Sequence, residues 1–96
     1  MELRHLRYFL AVAETENVRL AADLLHVTQP AISRQIQDLE EEMGVKLFER
    51  LPRGLRLVDS GIAFREDVLK VMSVLDSAMD RARRIAAGEV GTLRVG

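Results

Sequence analysis

The chain contains no cysteine, which excludes disulfide staples, thiolate zinc sites and a cysteine nucleophile together. Its two histidines, His5 and His26, are isolated in sequence and cannot build a metal site unaided. No apolar run approaches the ~18 residues of a membrane span, and Met1-Glu2-Leu3-Arg4-His5 lacks the apolar stretch of a signal peptide, so a soluble intracellular protein is expected. Charge of one sign is missing too: 14 Lys and Arg face 15 Asp and Glu for a net charge of -1, and any nucleic-acid partner must be argued from local charge. What remains is globular, with 48% hydrophobic and 30% charged residues in a length of 96, room for one modest core and not for a two-domain enzyme. Hydrolysis needs a nucleophile, a base and an orienting group in one pocket. The scattered serines and carboxylates of a small helical body do not offer them, and no enzyme is expected.

Apolar residues at Leu3, Leu6, Phe9, Leu10 and Ala13 recur at the spacing of a helix with one buried face. A short second helix is expected over residues 18–25, with Asn17 as N-cap and Val18, Ala21, Ala22 and Leu25 facing inward. His26-Val27-Thr28 is long enough only for a turn. Thr28 can cap a third helix, in whose first turn Pro30 loses nothing, because that N–H would have no intrahelical partner anyway. This helix should run to about Met43 and stop at Gly44.

Residues 45–50 and 55–58 alternate apolar and polar around Leu51-Pro52-Arg53-Gly54, a type I turn pattern, and predict a small hairpin. Beyond Asp59, a further N-cap candidate, Phe64, Val68, Val71, Leu75, Ala78, Ala82 and Ile85 alternate steps of four and three up to Gly88. Such a helix would be roughly 40 Å long at about 1.5 Å per residue, and its apolar stripe needs a partner. Leu69, Met72, Met79 and Ala86 widen the stripe beyond one seam, so it is expected both to cover the core and to form a dimer interface. Gly91-Thr92-Leu93-Arg94-Val95-Gly96 reads as a strand opening after a glycine hinge. There is no internal repeat.

Helix, helix, three-residue turn, helix and hairpin is the layout of a winged helix-turn-helix, whose helix after the turn enters the DNA major groove. At ~100° per residue, Ile32, Ile36, Leu39 and Met43 form one stripe, while Pro30, Ser33, Arg34, Gln37 and Glu41 lie on the opposite side. Ser33, Arg34 and Gln37, with Gln29 beside them, have the donors and acceptors that base edges require. The acidic run of Asp38, Glu40, Glu41 and Glu42 at the far end is repelled by phosphates, so the helix should insert N-terminus first.

The run Ala21-Ala22, Leu25-His26-Val27-Thr28-Gln29-Pro30-Ala31-Ile32-Ser33-Arg34-Gln35-Ile36, Leu39-Glu40, Gly44-Val45, Leu47-Phe48-Glu49-Arg50 and Arg53-Gly54 strongly resembles the DNA-binding domain of LysR-type transcriptional regulators. The likeness extends along the whole chain. It implies a bacterial regulator of the cytoplasm, acting at the nucleoid on double-stranded DNA. It also implies a homodimer through the linker helix, a tetramer at full length, and a small-molecule co-inducer bound by a C-terminal domain. No cofactor is expected within these residues. Val58 stands where the family more often has Thr, which leaves Asp59 as the candidate cap of the long helix.

The expected fold is therefore mainly α: a winged helix-turn-helix of three helices and a two-stranded wing over 1–58, a linker and dimerisation helix over 59–88, and a hinge over 89–96. The DNA-binding candidates are Thr28, Gln29, Pro30, Ser33, Arg34, Gln37, Arg50 and Arg53; the dimer candidates are Phe64, Val68, Val71, Leu75, Ala78 and Ala82. Each has a plainer alternative. Arg34 could be a solvated arginine paired with Asp38 one turn on, Thr28 a cap before it is a phosphate ligand, and Pro30 a helix-start residue. Ser33 and Gln37 could be ordinary surface residues. Lys46, Arg50, Arg53 and Arg56 against Glu49 leave the hairpin net positive, as suits a wing along phosphates or in a narrow minor groove. Arg50 would serve equally in a partly buried ion pair with a helix carboxylate. The rival function is a helical protein-docking module, which would carry apolar rather than polar residues on the free face of the third helix.

Overall fold

The computed structural model describes residues 1–88, and the hinge and strand expected in 89–96 lie outside them. The order is α1 (Leu3–Thr15), α2 (Val18–Leu25), α3 (Gln29–Met43), β1 (Phe48–Leu51), β2 (Gly54–Leu57) and α4 (Asp59–Ala86). Local chemistry sets most of the boundaries. The Asn17 side chain accepts from Leu20 N at 3.0 Å and opens α2, and Thr28 Oγ1 accepts from Ala31 N at 3.3 Å and opens α3. Gly44, with φ +75, closes α3, its N–H reaching Glu40 O at 2.8 Å.

Several boundaries and one facing differ from the sequence reading. The first helix runs past Ala13 to Thr15, whose hydroxyl donates to Ala11 O at 2.8 Å. Leu3, expected on its buried face, is exposed, because the core begins at Leu6. The N-cap of α4 is Val58 rather than Asp59, which is the first helical residue and sits where the helix dipole favours an acid. The first strand opens at Phe48 rather than Val45: the N–H groups of Leu47 and Phe48 go to the Glu40 carboxylate instead of a neighbouring strand. The first strand ends at Leu51 rather than Arg50, the second spans Gly54–Leu57 rather than 55–58, with Gly54 paired to Leu51 across the Pro52-Arg53 turn, and α4 ends at Ala86 rather than Gly88.

The core joins all four helices to the wing. Phe9, Val12, Ile32 and Leu47 are fully enclosed, each burial contributing on the order of 1.5–3 kcal/mol before chain entropy is counted. The Phe9 ring meets Phe48 of β1 at 5.5 Å and Phe64 of α4 at 5.0 Å, so one aromatic side chain ties α1 to both. Ala21 and Ala22 are buried on α2, as their small size predicts for a close helix crossing. Gly61 is buried where α4 crosses the chain entering β1, and a Cβ there would stand 2.1 Å from Leu47 O.

Candidate nucleic-acid interface

With Ile32, Ile36 and Leu39 buried, α3 presents its opposite side to solvent. Pro30, Ser33, Arg34 and Gln37 line one wall of an open groove of about 490 Å³, and Lys46, Arg50 and Leu55 line the wall formed by the wing. The candidates from the third helix are thus brought together, and Arg50 faces them across the groove. Arg34 is paired with Asp38, Nε to Oδ1 3.6 Å, with its side chain 76% exposed. An exposed pair of this kind is worth only ~0.3–0.5 kcal/mol and leaves the guanidinium free to exchange partners. Thr28 is engaged as the cap of α3, and Gln29 lies at a second, smaller notch together with Arg50 and Arg53.

The wing is held by a backbone bond to the α1–α2 turn, a bond that closes its own base, and the side chains of Glu40 and of Ser60, whose hydroxyl donates to Lys46 O. Leu55 N donates to Glu16 O at 3.2 Å, and Val58 N donates to Leu47 O at 3.0 Å. Glu40 Oε2 accepts from Leu47 N at 2.8 Å and from Phe48 N at 3.2 Å, with the Glu40 side chain 14% exposed. Sequence reading placed Glu40 in the acidic, phosphate-repelling end of the helix; it instead turns under the wing and satisfies two N–H groups that have no strand partner. Its place beside the buried stripe, four residues after Ile36, was the available signal.

Register sorts the wing cations. Arg50 pairs with Leu55, and Phe48 with Leu57, on the face turned to the body; Glu49 pairs with Arg56 on the other. Glu49 and Arg56 are also joined through their side chains, with Arg56 Nε 2.8 Å from Glu49 Oε1. Arg50 and Arg53 have no carboxylate within ion-pair distance among the described residues, so the buried ion pair considered for Arg50 does not form.

The expected dimer stripe divides in two. Val68 and Met72 are buried and Phe64 half-buried against the chain's own core, which gives this part of the stripe the core-covering role expected of it. Leu75 is half-buried, and Val71, Ala78 and Ala82 are exposed, together with Val74. Among the described residues no helix is long and apolar enough to cross a membrane, and no group of three His, Asp or Glu is placed to hold a metal.

A tight turn between two helices, a third helix with an open polar face, and a hairpin packed beside it define a winged helix-turn-helix protein. Residues 3–62 match the family described as bacterial regulatory helix-turn-helix protein, lysR family, and the chain belongs to that family. Over 96 residues it is 49% identical to the HTH-type transcriptional regulator BudR of Klebsiella aerogenes, covering all of this chain and 67% of that protein. It is 50% identical over 95 residues to the HTH-type transcriptional regulator ClcR of Pseudomonas putida, covering 99% of this chain and 32% of ClcR. The chain thus spans about a third of the length of ClcR and of several other curated relatives. Among solved structures, the BenM_DBD complex with catB site 1 DNA superposes with a TM-score of 0.91 at 44% identity, covering 96% of this chain and 99% of that one. The CbnR_DBD–DNA complex gives 0.85 at 48% identity, covering 90% and 99%.

Proposed function

We propose that this chain is the operator-reading part of a bacterial transcriptional regulator and binds a dyad-symmetric DNA site as a homodimer. In this reading α3 enters the major groove N-terminus first, and the wing lies along the flanking backbone. The observation that carries it is the groove: Ser33, Arg34 and Gln37 stand solvent-accessible on one helix face and Arg50 lines the facing wall, while the opposite helix face is sealed in the core. The polar free face disfavours the protein-docking alternative, and the DNA present in the BenM_DBD and CbnR_DBD structures supports the choice of partner. Residues 1–58 act as the reading body, 59–88 as the linker through which two copies associate, and 89–96 as the hinge to an effector-binding domain. That domain takes a small-molecule co-inducer, and the full-length protein is a tetramer of the bacterial cytoplasm.

The test is selection of bound duplexes from a random DNA pool at two salt concentrations. Enrichment of an inverted repeat, with half-site centres about one helical turn apart or a multiple of it, is expected. Binding without enrichment would leave only phosphate-driven contact, and absence of binding at both salts would overturn the reading in favour of protein docking.

A further inference from the structure

Where the start of α2, the start of α3 and the tip of the wing meet, a notch of about 330 Å³ is lined by Arg19, Gln29, Arg50 and Arg53, with Asn17 beside them. No acidic side chain lines it. The cations around the neighbouring groove, by contrast, are answered: Arg34 by Asp38, Lys46 by Glu40 and Arg56 by Glu49. Three arginines from α2 and the wing therefore line one notch with no carboxylate among its lining residues, and an anion seated there meets positive charge from both elements. Guanidinium forks match phosphate oxygens in bidentate geometry, which favours phosphate over a simple halide.

We propose that Arg19, Arg50 and Arg53 together clamp one stretch of DNA phosphodiester backbone, with Arg19 a DNA-binding residue that the reading of the third helix and wing did not include. Arg50 and Leu55 line both this notch and the main groove, so the two cavities adjoin at the outer half of the wing. A strand whose bases are read by α3 passes directly from one to the other. The clamp rests on the DNA-binding reading above and refines it: the unanswered arginines supply the salt-dependent, sequence-independent attraction, whereas Arg34 reads bases and Arg56 stays with Glu49.

The experiment measures the binding constant of the enriched duplex against salt concentration. A phosphate contact contributes about 0.9 to the slope of log K against log salt, so Arg19→Gln should lower the slope by about 0.9 per protomer. Arg19→Lys, which keeps the charge, should preserve the slope, and Arg56→Gln should leave it unchanged. The base preferences selected by Arg19→Gln should match those of the wild type. An unaltered slope in Arg19→Gln, with the wild type still binding steeply, would overturn the clamp and leave the functional reading intact; an equal loss in Arg56→Gln would do the same. Failure of the wild type to bind any duplex would overturn both.

Discussion

Arg34 has two partners to choose between. Its pair with Asp38 is exposed to solvent, at 3.6 Å, and contributes a few tenths of a kcal/mol. In the proposed DNA-bound state a bidentate contact to guanine O6 and N7, which discriminates by about 1–3 kcal/mol, would outweigh the carboxylate. Arg34→Ala should therefore cost roughly 1 to 3 kcal/mol in affinity and relax base preference at one position per half-site. Repeating the duplex selection with the variant checks this, and an unchanged preference profile would remove Arg34 from readout. Gly61 poses a steric question of another kind. A Cβ at this position would meet Leu47 O at 2.1 Å and Leu57 Cδ2 at 2.7 Å, and the first of these is backbone that cannot step aside. Gly61→Ala should destabilise the fold by about 3 kcal/mol or more. For a domain of this size that is a fall in Tm of over ~10 °C, readable by thermal melting.

The wing draws its placement in part from side chains of other elements, Glu40 of α3 and Ser60 of α4. Glu40 accepts two N–H bonds at the entry to β1, so removing its carboxylate leaves Leu47 N and Phe48 N without a partner in a half-buried setting. Glu40→Ala should cost about 1.5–3 kcal/mol, and amide exchange should speed at Leu47 and Phe48 before it does in the core of α1. Glu40→Gln retains one acceptor oxygen and should lose less, because both bonds go to the same atom, Oε2. Equal losses in the two variants would show that charge, rather than acceptance, holds the wing. This contact marks the limit of what residue order reveals. Helix caps at Asn17, Thr28 and Gly44 are local chemistry, closed within four residues, and the ends of α2 and α3 were legible from them. The free face of α3 followed from periodicity alone. Arg19 and the Val58 cap were not legible, and Glu40 showed only its place beside the buried stripe and not its partners, because each takes its surroundings from a segment distant in sequence or from the backbone geometry at a junction. The pairing of Arg56 with Glu49, rather than of Arg50, likewise required the strand register.

At the scale of the whole molecule, α4 is longer than the body beneath it, and its burial changes along its length. Val68 and Met72 are covered by the chain's own core at 3% and 8% exposure, whereas Val71 and Val74 remain 48% and 69% exposed. Val71, Leu75, Ala78, Ala82 and Ile85 share one side of the helix, and Val74 and Ala78 form its edge, where they line a shallow notch with the polar run of Ser73, Ser77 and Arg84. An apolar strip of this length beyond the body finds its cover most simply in a second copy, with the alanines allowing close approach. Val74→Glu then places two carboxylates against a low-dielectric seam. Burial of one valine is worth about 1.5–3 kcal/mol, so the loss at two equivalent sites should weaken the dimer at least ~100-fold. Helix content should be unaffected, since Val74 touches little of its own chain. Sedimentation at micromolar concentration would read the change directly, and a dimer surviving intact would place the interface on another face. The same variant separates association from readout: a monomer retains Arg34 and the groove but loses the fixed distance between two of them. Its selected DNA should shrink from an inverted repeat to a single half-site, with affinity closer to that for non-specific duplex.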